Sequence, residues 1–293
     1  MKKKETIIKW IFTVLAFSSL LFLLGIVAVL FKEGLPLFYN VSPIKFLFGM
    51  NWYPTFDPPE FGILPLILAS FWVTIGAMFI CVPLGIGSAL YVYELAPEAQ
   101  KAVLKPAIEM LAAVPSIVFG FFGMAIVAPF IQKLFNLPTG LCGFTASVVL
   151  GIMAVPTISS IAEDALNYVP KSFREASYAL GADKWQTLTR VIIPAAGSGI
   201  STSIILGMSR IVGETMTVLM VSGGAAVIPT SFFQPLRPMT STIAAEMGEA
   251  VTGSTHYNAL FAIGLLLFMI TLVFNIVAEI IARRYRIKLG HGR

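Results

Sequence analysis

Charge is what this chain of 293 residues has least of: Asp, Glu, Lys and Arg together make up 12%, against about 25% in soluble globular domains. A soluble protein of this size could not cover its exterior with so few solvated groups. Histidine and cysteine are nearly missing as well. Only His256 and His291 are present, so zinc-site and histidine-based triad chemistry lack the residues they require. Cys81 and Cys142 lie in or beside apolar runs without CxxC spacing; they read as small buried hydrophobes, not as a disulfide framework. There is no GxxxxGK followed by Ser or Thr, so this polypeptide does not carry that phosphate cradle for ATP. Low-complexity runs and soluble-domain stretches are absent too.

Hydrophobic residues fill the gap, at 57% of the chain with a mean hydropathy of +0.86. The fold class that follows is an all-α integral membrane protein. Apolar windows of about 20 residues cross a bilayer as helices, and six are found, approximately 10–31, 64–91, 107–131, 144–162, 195–221 and 258–281. The first follows a lysine-rich start. Its apolar stretch exceeds the usual 7–15 residues of a signal peptide and no small-x-small cleavage site precedes Lys32, so it reads as a retained helix.

Basic residues orient the spans, because Lys and Arg concentrate in cytoplasmic segments. With the N-terminus inside, fifteen fall on the cytoplasmic side, from Lys2 through Lys101, Lys105, Lys171, Arg174, Lys184 and Arg190 to Arg283, Lys288 and Arg293. Four fall outside (Lys32, Lys45, Lys133 and Arg237), and Arg210 lies within a span. Both termini are therefore expected in the cytoplasm. This asymmetry accounts for the net charge of +5 without invoking nucleic acid.

Two outer segments are long. The first carries Phe46-Leu-Phe-Gly-Met-Asn-Trp52-Tyr53-Pro54 and then Asp57-Pro-Pro-Glu60; such aromatics serve either as headgroup-level anchors or as a docking surface for an outside partner. The second, from Ser222 to Tyr257, contains Thr240 to Glu249, a candidate short, re-entrant helix. On the inside, one long loop runs over 163–194. Ser172 followed by Glu175 predicts a capping box opening a short helix, and Gly181 a left-handed terminator. A second short helix is expected near Asp183, with Pro194 at an N-terminal position of the fifth span. The result is a helix–Gly–helix elbow.

Glu175, Ala176, Gly181, Val191, Ile193 and Pro194 reproduce a pattern: Glu-Ala-x-x-x-x-Gly, nine residues, then apolar-x-aliphatic-Pro. The pattern resembles the EAA loop of bacterial ABC importer permeases, with Ser177 in place of the usual second Ala. The resemblance implies that Glu175, Ala176, Gly181 and Pro194 couple the chain to a separate ATPase subunit. No cofactor would then sit on this chain, ATP and Mg being bound by that partner.

Arg210 lies within the middle part of the fifth window, roughly 22 Å from one edge and roughly 16 Å from the other at 1.5 Å per residue. A central arginine costs about +2.5 to +3.5 kcal/mol on insertion scales and so calls for compensation or function. Glu214, four residues on, is predicted to share its helical face, with Ser209 and Thr215 adding hydroxyls. Two readings fit. The pair locks helix packing, or it lines an anion pathway in which the planar guanidinium grips a tetrahedral oxyanion while the carboxylate orients and releases it.

The chain resembles, nearly end to end, the phosphate ABC importer permeases of the PstC type. The matching stretches are Phe61-Gly-Ile-Leu-Pro65, Pro83-Leu-Gly-Ile-Gly87, Ala113-Val-Pro115 through Phe122-Gly123, Val155-Pro-Thr-Ile158, Glu175 to Pro194, and Arg210-Ile-Val-Gly-Glu214-Thr215. The resemblance implies a single transmembrane permease domain over 1–293 in the bacterial cytoplasmic membrane, transporting and not catalysing. It also implies a homologous PstA-type permease, PstB-type ATPases and a PstS-type phosphate-binding protein as partners. Another oxyanion, sulfate or molybdate, and a motor-free secondary transporter stand as alternatives. Pro115 and Pro156 fall within windows, where proline bends a helix.

Overall fold

The computed structural model describes residues 2–288; His291 and Arg293 lie outside the described residues. Among the described residues, five helices are long and apolar enough to cross a membrane. A sixth crossing is broken: Lys184–Ala195 and Gly197–Val212 meet at a bend of 68°.

The first span is α1 (Lys2–Gly34), followed on one side of the bundle by the short helices α2 (Leu37–Asn40) and α3 (Pro43–Phe48). Two two-residue strands, β1 (Trp52–Tyr53) and β2 (Glu60–Phe61), pair antiparallel with Trp52 opposite Phe61. The second span, α4 (Leu64–Leu90), ends in a π-helical turn at Tyr91–Leu95 and leads into α5 (Glu98–Ala112). The third is α6 (Ser116–Phe122), a π turn at Gly123–Val127, and α7 (Ala128–Phe135). The fourth is α8 (Gly143–Asn167). Then come α9 (Lys171–Ala179), α10 (Lys184–Thr187), a π turn at Leu188–Ile192 and α11 (Ile193–Ala195). α12 (Gly197–Val212), the second arm of that bent pair, is followed by α13 (Met216–Val221) and α14 (Met239–Glu246), and α15 (Thr255–Lys288) is the last span.

The third and fourth windows are corrected by these boundaries. The window 107–131 is not one helix, because the chain leaves helical geometry at Pro115 (φ −58°, ψ 139°). Proline disfavours the helical region for the residue before it and has no N–H to continue the ladder, so here it starts a helix and does not kink one. The crossing segment is Ser116–Phe135, and α5 is a separate amphipathic helix with no buried residue. Pro156 does lie inside an unbroken α8. That helix continues through Glu163 and Asp164, so the loop expected over 163–194 begins at Tyr168, not at 163.

Within lipid there is no hydrophobic drive between helices, and small residues that let backbones approach do the packing. The centre of the bundle, α8 on α4, is built that way. A Cβ added at Gly151 would stand 2.9 Å from the Ile80 Cβ, and one at Gly76 would collide with Ser147. Around this seam Ala69, Val73, Ala77, Ala146, Leu150, Met153 and Ile158 form a buried core that reaches Ile211 on α12 and Val218 and Val221 on α13. The α8 span is accordingly the most enclosed, with 61% of its apolar window buried, whereas that of α1 is 0% buried. α1 meets α15, where Gly34 approaches the backbone of Phe261 and Ala262.

Candidate functional site: a span broken at Gly213 and an elbow behind Gly181

The fifth apolar window is interrupted where its polar residues are. α12 stops at Val212, Gly213 to Thr215 are non-helical, and α13 begins at Met216. The shared helical face expected for Arg210 and Glu214 therefore does not exist, and among the described residues no salt bridge joins them. Each charge instead sits at the helix end that suits it. Arg210 is in the last turn of α12, where unsatisfied carbonyls favour a cation. Glu214 precedes α13 and accepts a hydrogen bond from the Thr217 N–H at 3.3 Å through Oε1, at the end that favours an anion.

The break is held open by side chains from three elements. The Thr240 hydroxyl of α14 donates to the Glu214 carbonyl at 2.8 Å. The fully buried Thr217 donates to the Ser116 carbonyl at 2.9 Å, tying this break to the one at Pro115. Ser209 donates to Asn275 Oδ1 on α15 at 3.3 Å, and Thr215 to the Gly213 carbonyl at 3.3 Å. Among the described residues two buried side-chain atoms lack a hydrogen-bond partner, Arg210 Nε and Ser222 Oγ, exceptions to the rule that buried polar groups are paired. Beside the break a cavity of about 340 Å³ is lined by Val212, Gly213, Thr215, Thr240 and Thr271, among others.

On the far side of α8 and α12 the elbow takes the expected shape with a different start. Pro170, not Ser172, is the N-cap of α9, and no side chain caps it; the Ser172–Glu175 capping box does not form, because proline has already set the entry one residue before Lys171. Gly181 adopts φ +84° and closes the helix. The capping box is at the second arm, where Asp183 Oδ1 accepts from the Gln186 N–H at 2.7 Å and the Asp183 N–H donates to Gln186 Oε1 at 3.2 Å. The buried hydroxyls of Ser177 and Thr187 meet at 2.9 Å and clasp the two arms. Glu175, Ala176 and Pro194 are exposed, as are Leu180 (89%) and Trp185 (67%) at the tip. Pro194 lies in α11, on the elbow side of the 68° bend.

Residues 81–287, which hold both the broken span and the elbow, match the family described as binding-protein-dependent transport system inner membrane component. The chain belongs to that family. This permease is 42% identical over 248 residues to the probable ABC transporter permease protein YqgH of Bacillus subtilis, covering 85% of this chain and 80% of that one. It is 34% identical over 289 residues to the phosphate transport system permease protein PstC of Mesorhizobium japonicum, covering 92% and 88%. With PstC of Haemophilus influenzae it shares 36% over 256 residues, covering 80% of each. Its fold is that of solved ABC transporters. The bacterial alginate transporter aligns with a TM-score of 0.65 at 12% identity over 94% of both chains. The inward-facing MetNI methionine transporter aligns with 0.57 at 20% identity, over 76% of this chain and 94% of that one. The permease is a multi-pass membrane protein and a transport subunit, not an enzyme.

Three polar links in the permease have no local sequence signal. Arg174 on α9 pairs with Glu94, in the π turn that ends α4, at 2.6 Å. Lys105 on α5 pairs with Glu163 on α8 at 3.1 Å, and that hydrogen bond, more than the neighbouring acidic charges, holds the Lys105 ammonium above its usual pKa of 10.5. On the opposite side Glu246 gathers Arg237 (2.5 Å), His256 (2.9 Å) and the Trp52 indole (3.1 Å). Trp52 is thus neither a headgroup anchor nor a docking residue: it is 2% exposed. Tyr53 and Phe56, stacked at 4.9 Å, remain at the surface.

Proposed function

We propose that this permease is the PstC-type subunit of an ATP-driven inorganic phosphate importer, forming half of the pathway with a homologous PstA-type permease. The observation that carries the reading is the identity to PstC proteins along most of both chains. A PstS-type binding protein delivers phosphate to the side of Tyr53 and Phe56, and PstB-type ATPases, which hold ATP and Mg, engage Glu175, Ala176, Gly181 and the exposed tip. The excess of Lys and Arg on one side supports a cytoplasmic position for both termini and the elbow.

Arg210 is the residue that meets the anion. Its unpartnered Nε supports this, since a guanidinium presents donors in a geometry that fits tetrahedral oxyanions. Glu214, on the other side of the break, keeps α13 capped, and its negative charge beside the path keeps the anion from settling. Ser209 and Thr215 add hydroxyls to the same stretch. Discontinuous helices with binding groups at their interruptions are a recurrent way of handling ions inside a bilayer.

The test is uptake of radiolabelled phosphate into proteoliposomes holding the permease with its companions. Uptake should require ATP, and excess sulfate or molybdate should leave it unchanged. Arg210→Gln removes a charge-assisted contact worth about 1.5–3 kcal/mol, so uptake should fall roughly ten- to hundredfold. Full uptake in Arg210→Gln would remove the pathway role; inhibition by sulfate or molybdate would replace phosphate as cargo.

A further inference from the structure

The elbow is joined to the rest of the permease covalently through α8 and α12, by apolar packing of Leu188 and Ile192 in one cluster with Ala89 of the second span, and, among the described residues, by one polar side-chain link to that span. Arg174 Nη2 donates to Glu94 Oε2 at 2.6 Å, and its guanidinium carbon lies 5.3 Å from the Tyr93 ring centre. Both partners belong to the π turn Tyr91–Leu95 that ends α4. The Glu94 side chain is only 7% exposed, against 32% for Arg174. A carboxylate buried to that degree at the end of an apolar span needs a counter-charge, and the cation supplied to it sits on the elbow. The same turn leads onward, because the Tyr91 hydroxyl donates to Gln100 Oε1 on α5 at 2.6 Å.

We infer that the Arg174–Glu94 pair is the strut through which displacement of the elbow reaches the inner end of the second span. The inference rests on the importer reading. An ion pair this short resists both approach and separation, and the Tyr93 ring beneath the guanidinium resists sideways slip. The elbow's second arm already shares an apolar cluster with the second span, Leu188 and Ile192 with Ala89 and Tyr93; the ion pair adds the polar, direction-holding link from the first arm, α9. Arg174 is a positioning residue: it touches neither cargo nor nucleotide. A π turn is a local widening of the helix, with i→i+5 bonds, that α-helices carry frequently at functional sites.

The test uses the full complex in proteoliposomes, with phosphate uptake and ATP hydrolysis measured separately. Arg174→Gln and Glu94→Gln should assemble and hydrolyse ATP, while phosphate moved per ATP falls about tenfold, on the scale of coupling between distant sites. The swap Arg174→Glu with Glu94→Arg should restore coupling. Spin labels at Leu95→Cys and Ser172→Cys, specific because Cys81 and Cys142 are buried, should keep one separation with and without trapped nucleotide. Wild-type coupling in both single variants, or no recovery in the swap, overturns the strut. If the single variants fail to assemble, a label separation that changes by more than a helical turn, roughly 5.4 Å, overturns it, and a constant one supports it. A wild-type complex that moves no phosphate would instead refute the importer reading.

Discussion

Gly181 offers the cleanest separation of backbone from side-chain effects at the elbow. Its φ is +84°, and a Cβ placed there would meet no atom within 4 Å. Substitution therefore creates no clash within the permease, and its cost is confined to the backbone. For an L-residue the left-handed region costs roughly 1–2 kcal/mol, while Asn visits it far more readily. The turn is exposed and held by a short set of bonds: Leu180 N–H to Ala176 O and Ser177 O and Ala182 N–H to Ser177 O, each at 3.2 Å, Gly181 N–H to Tyr178 O at 2.9 Å, and the Ser177–Thr187 clasp at 2.9 Å. In Gly181→Val the free elbow relieves its strain by opening, and docking must close it again. The strain then appears as lost affinity for the ATPase subunit, about five- to thirtyfold for 1–2 kcal/mol. Gly181→Asn should bind close to wild type. The assay is equilibrium titration of the ATPase subunit onto the permease in nanodiscs. Unchanged affinity in the Val variant would show that the turn is not what docks. Equal losses for Val and Asn would show that the partner needs a bare surface there and not a left-handed backbone.

Two further outcomes are expected. Thr217→Val keeps the shape of a fully buried side chain but deletes its bond to the Ser116 carbonyl. It should cost about 0.6–1.7 kcal/mol, the range for such bonds between membrane helices, read as a lowered thermal midpoint in detergent; an unchanged midpoint would mean that the two helix breaks are not tied there. The raised pKa of Lys105 means that the folded chain favours the ammonium form. Its contribution is then fully present below the ordinary value of 10.5 and is lost as pH rises through the folded value. Lys105→Met should therefore lower the midpoint at neutral pH, and the difference from wild type should close at strongly alkaline pH; a difference constant across that window would assign the effect to packing.

Some features of the permease are decided within a few residues, and these are legible in the chain. Gly181 terminates α9 because only a residue without Cβ takes φ +84° freely, and Asp183 opens the next arm because its carboxylate reaches the Gln186 N–H. The spans are legible because a bilayer demands long apolar helices. Legibility fails where two local signals compete. Ser172 and Glu175 form a plausible cap on paper, yet Pro170, two residues earlier, fixes the entry first. Spacing alone placed Glu214 on the face of Arg210, but the helix that would hold them together ends at Val212. That ending is supported from outside, by Thr240 on α14 and by the packing of α13 against α6, where a Cβ at Gly120 would crowd Met220 and Thr217.

Sequence by itself determined the class of molecule, the long apolar helices, the clustering of basic residues, the elbow and the presence of one arginine within an apolar window. These follow from transfer free energies and from backbone preferences, which act residue by residue. Tertiary structure decided which charges meet: Arg174 with Glu94, Lys105 with Glu163, Glu246 with Arg237 and His256, and Arg210 with none through its Nε. Lys105 and Glu163 are 58 residues apart and Arg174 and Glu94 are 80, while Arg237 and His256 lie 9 and 10 from Glu246; all meet only when the helices and loops have packed, because side-chain pairing is short-ranged and carries no periodic trace along the chain.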